Sequence, residues 1–274
     1  MSSFLERKKK KDSQANWIII FLILFLVAGG SYLTYINLTE IKLSENDGCP
    51  IEGGARGTTA ILFDNTDKNA AIAEVDIRAN LFKIKDSVKR YQKFVIYIIT
   101  EDADNISPVL SICNPGSMAD ENQFAFLYKT HRIIQERWEN KFGQEVDDII
   151  QKLLIGGTSD WSPIFEMIQA VNISSFKHSN EDFKDNNRLF IFSDFMHNTA
   201  EFSQYGDKSN FSNFKENYRS YYERVYSMLR DTYVKMFVIN RTPSESRDSM
   251  NFWKDFFVAT EAKNRVPDIE YIGK

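Results

Sequence analysis

The sequence predicts an α/β fold: a doubly wound, mostly parallel sheet with one antiparallel edge strand, preceded by a single membrane-spanning helix. Three observations predict it. Apolar runs at 58–64, 93–100, 188–194 and 233–240 are separated by stretches of helical periodicity, and strands joined through helices of that length lie parallel with both faces covered. One connection, the turn Glu101 to Pro108, is too short for a helix, so the run 108–113 pairs back as an antiparallel edge. Ahead of these runs, residues 17–36 carry no charge.

The chain begins with a basic tail, 1–16, that holds Arg7, Lys8, Lys9, Lys10 and Lys11. Residues 17–36 follow, about 20 residues, enough to cross a hydrocarbon core as a helix. Trp17, Tyr32 and Tyr35 lie near the two ends of this run, where interfacial aromatics belong. The basic residues precede the run and Glu40, Lys42, Glu45 and Asp47 follow it, so the positive-inside rule leaves the N-terminus in the cytoplasm and residues 37–274 facing outward. A cleaved signal peptide is the competing reading. The apolar run is longer than a usual signal core, and Gly29-Gly30-Ser31 is a weak cleavage site, so an uncleaved anchor is preferred.

Residues 37–56 are polar and read as a tether; residues 57–274 form the α/β domain. Helices are expected over 70–91, 123–139, 144–155, 162–172, 214–231 and 249–262, with a last short strand at 269–272. A chain of 274 residues, 43% hydrophobic, buries one sizeable core. Its net charge of −4 argues against a nucleic-acid footprint, which needs a concentrated basic surface.

The stretch Thr58-Thr-Ala-Ile-Leu-Phe-Asp-Asn-Thr-Asp-Lys-Asn69 delivers a carboxylate, Asp64, and a hydroxyl, Thr66, to the carboxyl end of a buried strand. Open α/β sheets place ligand sites at that edge. Gly156-Gly157-Thr158-Ser159-Asp160 ahead of a helix, and Ser193-Asp194 ending another apolar run, can reach the same place.

Together these residues resemble a von Willebrand factor type A domain: a strand ending in Asp-x-Thr, a later Gly-Gly-Thr opening a helix, and a strand ending in Ser-Asp. The resemblance covers roughly residues 55–274 by order of elements, the antiparallel third strand included. It implies a metal-ion-dependent adhesion site for Mg²⁺, with Asp64 and Thr66 from the first motif, Thr158 from the second and Asp194 from the third. Such a donor set suits a hard cation that keeps a position open for a partner's oxygen. The sequence departs from the family at Lys68, where a metal-ligating hydroxyl is expected. Its ammonium could point away or replace the metal between Asp64 and Asp194. Asp67 and Asp160 could compensate or be ordinary turn residues, and Thr66 and Thr158 could do no more than cap helices. The resemblance and the anchor imply a bacterial inner-membrane protein, single-pass, whose periplasmic or extracellular domain engages a protein partner or organises a membrane complex.

A second resemblance is of another class. Phe63-Asp64-x-Thr66 is similar to the nucleophile strand of haloacid dehalogenase-like phosphotransferases, with Thr100 closing a second strand and Ser193-Asp194 a later acidic loop. It would make Asp64 a phosphorylated nucleophile. Most hydrolases of that family need a second aspartate where Thr66 stands, so binding is favoured over catalysis.

The remaining conspicuous residues have plain readings. His131, His178 and His197 are scattered without metal-ligand spacing and read as surface residues. Phe214, Tyr218, Tyr221, Tyr222, Val225 and Tyr226 fall on one helix face, a core stripe. The loop Met196 to Tyr205 is the best contact candidate beside the site. Cys49 precedes the first strand and Cys113 ends the descending third, so both reach the edge opposite the site and are expected to form a disulfide in an oxidising compartment.

Overall fold

The computed structural model describes residues 2–39, 41–66, 69–100, 106–120, 131–155, 157, 159–177, 179–206, 210–239 and 248–273. Contacts divide the chain into two units, Met1–Lys42 and Leu43–Lys274. The first is one helix, α1 (Ser2–Thr39), in which Trp17, Phe21, Phe25 and Leu26 are 70–72% exposed. Among the described residues no helix is long and apolar enough to cross a membrane. The side chains described without a break in α1 run only from 17 to 32, and the basic run at 7–11 lies outside them.

The second unit contains β1 (Thr58–Asp64), α2 (Ala71–Asp86), β2 (Lys93–Ile99), β3 (Leu110–Cys113), α3 (His131–Trp138), α4 (Gln144–Leu153), α5 (Ile164–Val171), β4 (Asn187–Ser193), α6 (Phe211–Asn217), α7 (Arg219–Val225), β5 (Thr232–Ile239), α8 (Asp248–Ala259) and β6 (Asp268–Ile272). The strands form one sheet in the order β3-β2-β1-β4-β5-β6. Every neighbouring pair is parallel except β2–β3. The expected sheet, mostly parallel with one antiparallel edge strand, is therefore the observed one. The chain builds outward from β1 through β2 to one side, then returns to lay β4 on the other. That reversal sets the carboxyl ends of β1 and β4 side by side, the place where such sheets open a crevice.

All seven residues of β1 are buried, as expected of a strand covered on both faces. Alternate side chains feed two cores. Ala60, Leu62, Leu189, Ile191, Val234 and Met236 face the layer of α5, α6, α7 and α8, an aromatic core centred on Phe165, Phe214, Trp253 and Phe256. Ile61, Phe63, Phe94, Ile96, Phe190 and Phe192 face α2 and α4. Those two helices form because their apolar residues recur on one face: Ala73, Ile77, Leu81 and Ile84 in α2, and Val146, Ile150 and Leu153 in α4. The Lys85–Asp147 ion pair, 2.6 Å, ties them together.

Three of the expected helices are not found as expected. The one expected over 70–91 stops at Asp86, where the Ser87 hydroxyl donates to the Ile84 carbonyl at 2.7 Å and the chain turns through Tyr91 at φ 66°. The one expected over 214–231 is two short helices broken at Tyr218, φ −118°, and it ends at Val225 because Gln169 Nε2 captures the carbonyl of Arg224. Its aromatic stripe is core as expected: Phe214, Tyr221 and Val225 are buried. In place of the helix expected over 123–139, residues 121–130 lie outside the described ones, and α3 passes into α4 through a π-helical turn, Glu139–Gly143.

Cys49 and Cys113 form the expected disulfide, with Cα atoms 4.8 Å apart. Cys113 stands opposite Lys93 at the start of β2, and its amide donates to the Asp47 carbonyl at 2.7 Å. Residues 47–49 thus lie along the outer edge of β3, at the end of the sheet away from the β1 and β4 carboxyl ends.

Candidate functional site

Three loops meet where β1 ends. Parallel pairing sets Phe63 beside Phe192, so the next residues along, Asp64 and Ser193, are neighbours across the strands. Asp64 is wholly buried, and among the described residues four groups donate to its carboxylate. Oδ1 accepts from the Thr66 amide at 3.1 Å and the Thr66 hydroxyl at 2.6 Å; Oδ2 accepts from the Ser193 hydroxyl at 2.6 Å and the Ser162 hydroxyl at 3.4 Å. Hydrogen bonds to a carboxylate are among the stronger neutral-to-charged kind, which is how one fully buried acid can be held.

The second loop is sewn to the first by its backbone. Gly157 N donates to the Asn65 carbonyl at 3.0 Å and Ser159 N to the Thr66 carbonyl at 2.8 Å. A Cβ at Gly157 would stand 2.7 Å from Asn65 O, so only glycine permits this approach. The third loop joins the second through an antiparallel bridge in which Ser162 and Asn198 exchange amide-to-carbonyl bonds of 2.9 and 3.0 Å. Its entry is a tight turn: the Asp194 carboxylate accepts from Met196 N at 2.9 Å, and the Ser193 hydroxyl accepts from Phe195 N at 2.8 Å while Phe195 sits at φ 60°. Trp253 Nε1 on α8 donates to the Phe195 carbonyl at 2.8 Å and pins the turn to the aromatic core.

Of the sequence-predicted site residues, Asp64, Thr66 and Asp194 are brought to this edge. Thr158, Lys68 and Asp67 lie outside the described residues, although both neighbours of Thr158 are bonded to the Asp64 loop. Asp160 is exposed, and its backbone carbonyl, rather than its carboxylate, is what the loop uses, accepting from Asn198 Nδ2. Ser193 and Ser162, both bonded to Asp64, were missed as partners of that carboxylate. The signal for Ser193 was available, since a serine one step beyond two registered strands must face the residue ending the first.

His197 corrects its surface reading: it is fully buried. Its ring lies 4.5 Å from that of Phe165 and stacks on Phe202 at 5.9 Å. Nδ1 accepts from the Ile164 amide at 3.1 Å, so the proton of the neutral ring is on Nε2, which meets the Tyr221 hydroxyl at 2.9 Å. Tyr221 in turn donates to Glu166 Oε1 at 2.7 Å. Burial pushes the imidazole down to about 3, and burial also raises the Glu166 carboxyl and the Tyr221 phenol. The chain therefore runs from neutral histidine through tyrosine to carboxylate. Of the other histidines, His131 is exposed and His178 lies outside the described residues.

The loop Met196 to Tyr205 is also less open than its polar sequence suggests. Met196, His197, Phe202 and Gln204 are buried, Asn198, Thr199 and Ser203 are half-buried, and Ala200, Glu201 and Tyr205 are exposed.

What this arrangement can do chemically follows from its donors. Asp64, Asp194 and Thr66 offer the hard oxygens that Mg²⁺ takes, whereas the Asn65 carboxamide turns to the Ile155 carbonyl, to which its Nδ2 donates at 3.3 Å. The donor set therefore fits such an ion, although Ser193 and Ser162 already occupy one oxygen of Asp64. Among the described residues no group of three or more His, Cys, Asp or Glu gathers as a metal cluster. Phosphotransfer fits poorly. A nucleophilic carboxylate needs an open line of attack, whereas Asp64 has 0% exposure and carries the Thr66 hydroxyl where a proton-transferring aspartate would be required.

No family model and no curated protein matches the chain. Among solved structures it is similar to the crystal structure of the SpRpn10 VWA domain, at 10% identity and a TM-score of 0.38, over 79% of this chain and 87% of that one.

Proposed function

We propose that this chain is a membrane-anchored binding module that engages a protein partner through the edge where the β1, α5-entry and β4 loops converge on Asp64. The observation that carries the reading is that convergence. A buried acid tied to three loops fixes the surface above it with the precision that recognition needs and offers little to a bond-breaking reaction. Around the edge stand exposed apolar residues that a soluble surface does not require, Ile72 and Val75 at the start of α2, Ile155, and Trp161.

In this reading residues 17–36 span the inner membrane of a bacterial cell, with the N-terminus cytoplasmic and the domain periplasmic or extracellular. The supports are the uncharged run, its exposed aromatic and aliphatic side chains, and a disulfide that persists in an oxidising compartment. Mg²⁺ would be held by Asp64, Thr66, Thr158 and Asp194 and would supply an open coordination position for a partner's carboxylate oxygen. Lys68 is the alternative counter-charge at the same place.

Photo-cross-linking in membranes of the source cells tests the reading. A cross-linking group at Ile155, Trp161 or Tyr205 is expected to give a discrete adduct, and the same group at Asp182 or Lys263, at the opposite end of the sheet, none. Equal adducts from both ends would refute this edge as the interface.

A further inference from the structure

Beside the Asp64 edge lies a half-open cleft of about 610 Å³, lined by Trp161 and Pro163 on either side of Ser162 and by Thr199 to Glu201 of the third loop. Glu166, on the first turn of α5, lies against it. One carboxylate oxygen accepts from Tyr221; the other, Oε2, is closed off from solvent and meets no hydrogen-bond donor among the described residues. A carboxylate oxygen shielded from water without a donor is an unfavourable arrangement that an incoming cation would relieve.

The nearest protein cation is held elsewhere. Arg224 donates to Glu201 and lies over the Tyr221 ring, 5.1 Å from its centroid. Among the described residues that line the cleft, two carboxyl groups, Glu166 and Glu201, stand against one guanidinium. Its walls are apolar where a stem would pass: Ile106, Pro163 and Val225, with the half-exposed Trp161 at the rim. An indole face attracts an ammonium, and methylenes pack on proline and valine. The Arg224–Glu201 pair is itself half-exposed at the rim.

We infer that this cleft takes a lysine side chain of the protein partner, its methylene stem along Pro163 and Val225 and its ammonium on Glu166. An ethanolamine headgroup shares the ammonium but has a two-carbon stem and a phosphate that Glu201 would repel, so lysine is the better match. Burial raises the Glu166 carboxyl, and an adjacent ammonium favours its charged form, which strengthens the pair. The inference rests on the binding-module reading for the source of the lysine, but its chemistry does not, and a small-molecule probe reports on the cleft alone.

The test is an NMR titration of the full-length chain in detergent with Nα-acetyl-lysine methylamide, following the amides of Gln169, Ala200 and Glu201 and the Trp161 indole. Saturable shifts are expected there, absent with the norleucine analogue and with phosphoethanolamine, and weakened roughly tenfold or more in Glu166→Gln. Trp161→Ala, at a half-exposed position that leaves the core intact, is the second variant and is expected to weaken binding several-fold. The inference is overturned by the absence of shifts, by equal binding of norleucine or phosphoethanolamine, or by undiminished binding in both variants. None of these outcomes touches cross-linking at Ile155 or Tyr205, which lie outside the cleft lining, so the two readings fail separately.

Discussion

Replacing Ser193 by alanine removes one oxygen that serves two buried partners, and the consequence can be worked out from their geometry. The hydroxyl donates to Asp64 Oδ2 at 2.6 Å and accepts from Phe195 N at 2.8 Å. Loss of a bond to an ionised carboxylate costs roughly 1.5–3 kcal/mol, and a buried amide left without an acceptor roughly 1–3 kcal/mol. The two are not fully additive, because Asp64 keeps the Thr66 amide, the Thr66 hydroxyl and the Ser162 hydroxyl as donors. A net loss of about 3 kcal/mol is expected, and for a domain of this size that lowers Tm by roughly 6–12 °C. Phe195 sharpens the expectation: a non-glycine residue at φ 60° persists only while its surroundings hold it, and the Ser193 contact is one of the holds. Thermal unfolding followed by circular dichroism measures the change, with the exposed Ser212→Ala as control. A double-mutant cycle with Asp64→Asn should show strong coupling between the two sites. If Ser193→Ala melted within a degree or two of the native chain, or if the cycle were additive, Asp64 would not be the hub of the three loops.

Reduction of the Cys49–Cys113 bond, which closes a loop of sequence separation 64, should destabilise the domain by about 4 kcal/mol in the chain-entropy model. Thiol labelling after denaturation without reductant should find no alkylatable cysteine. Mg²⁺ at concentrations well above its Kd should raise Tm against chelator by mass action, and Asp64→Ala should abolish the rise; unchanged melting would favour Lys68 as the counter-charge. His197 should stay neutral with its proton on Nε2 between about pH 5 and 8 by ¹⁵N NMR, because burial depresses it to about 3. The folded value lies below the unfolded one, so below about pH 6.5 the unfolded chain binds the proton first. This group's stabilisation is then lost as pH falls from about 6.5 towards 3, at up to about 1.4 kcal/mol per pH unit.

The sheet was legible because its signals are local. Ile61 to Phe63 and Leu189 to Phe192 are apolar runs with no polar alternation, and such runs declare strands buried on both faces. The disulfide was legible because it follows from the direction of three strands alone. Helix ends were not, because they depend on partners distant in sequence: α7 stops where Gln169, some fifty residues earlier, takes the Arg224 carbonyl. His197 was misread for a similar reason. Its flanks, Met196, Asn198 and Thr199, look like an exposed polar loop, and nothing local reveals that Phe165, Phe202 and Tyr221 close around the ring. At the Asp64 edge the sequence identified the acid and the hydroxyl that share a turn, while the donor from the neighbouring strand required the register.

The bond between residues 47–49 and the foot of β3 also decides how the domain would resist being pulled. If the chain is tethered through residues 17–36 and gripped by a partner at the far edge of the sheet, tension enters at Cys49 and divides. One branch follows the backbone to the start of β1; the other crosses the sulfur bridge to Cys113. Both branches pull along strand axes, so the ladders β1–β2, β1–β4 and β2–β3 are sheared with many hydrogen bonds resisting together, rather than peeled one at a time. A domain tethered in that way would hang from two points of suspension, spread over three strands.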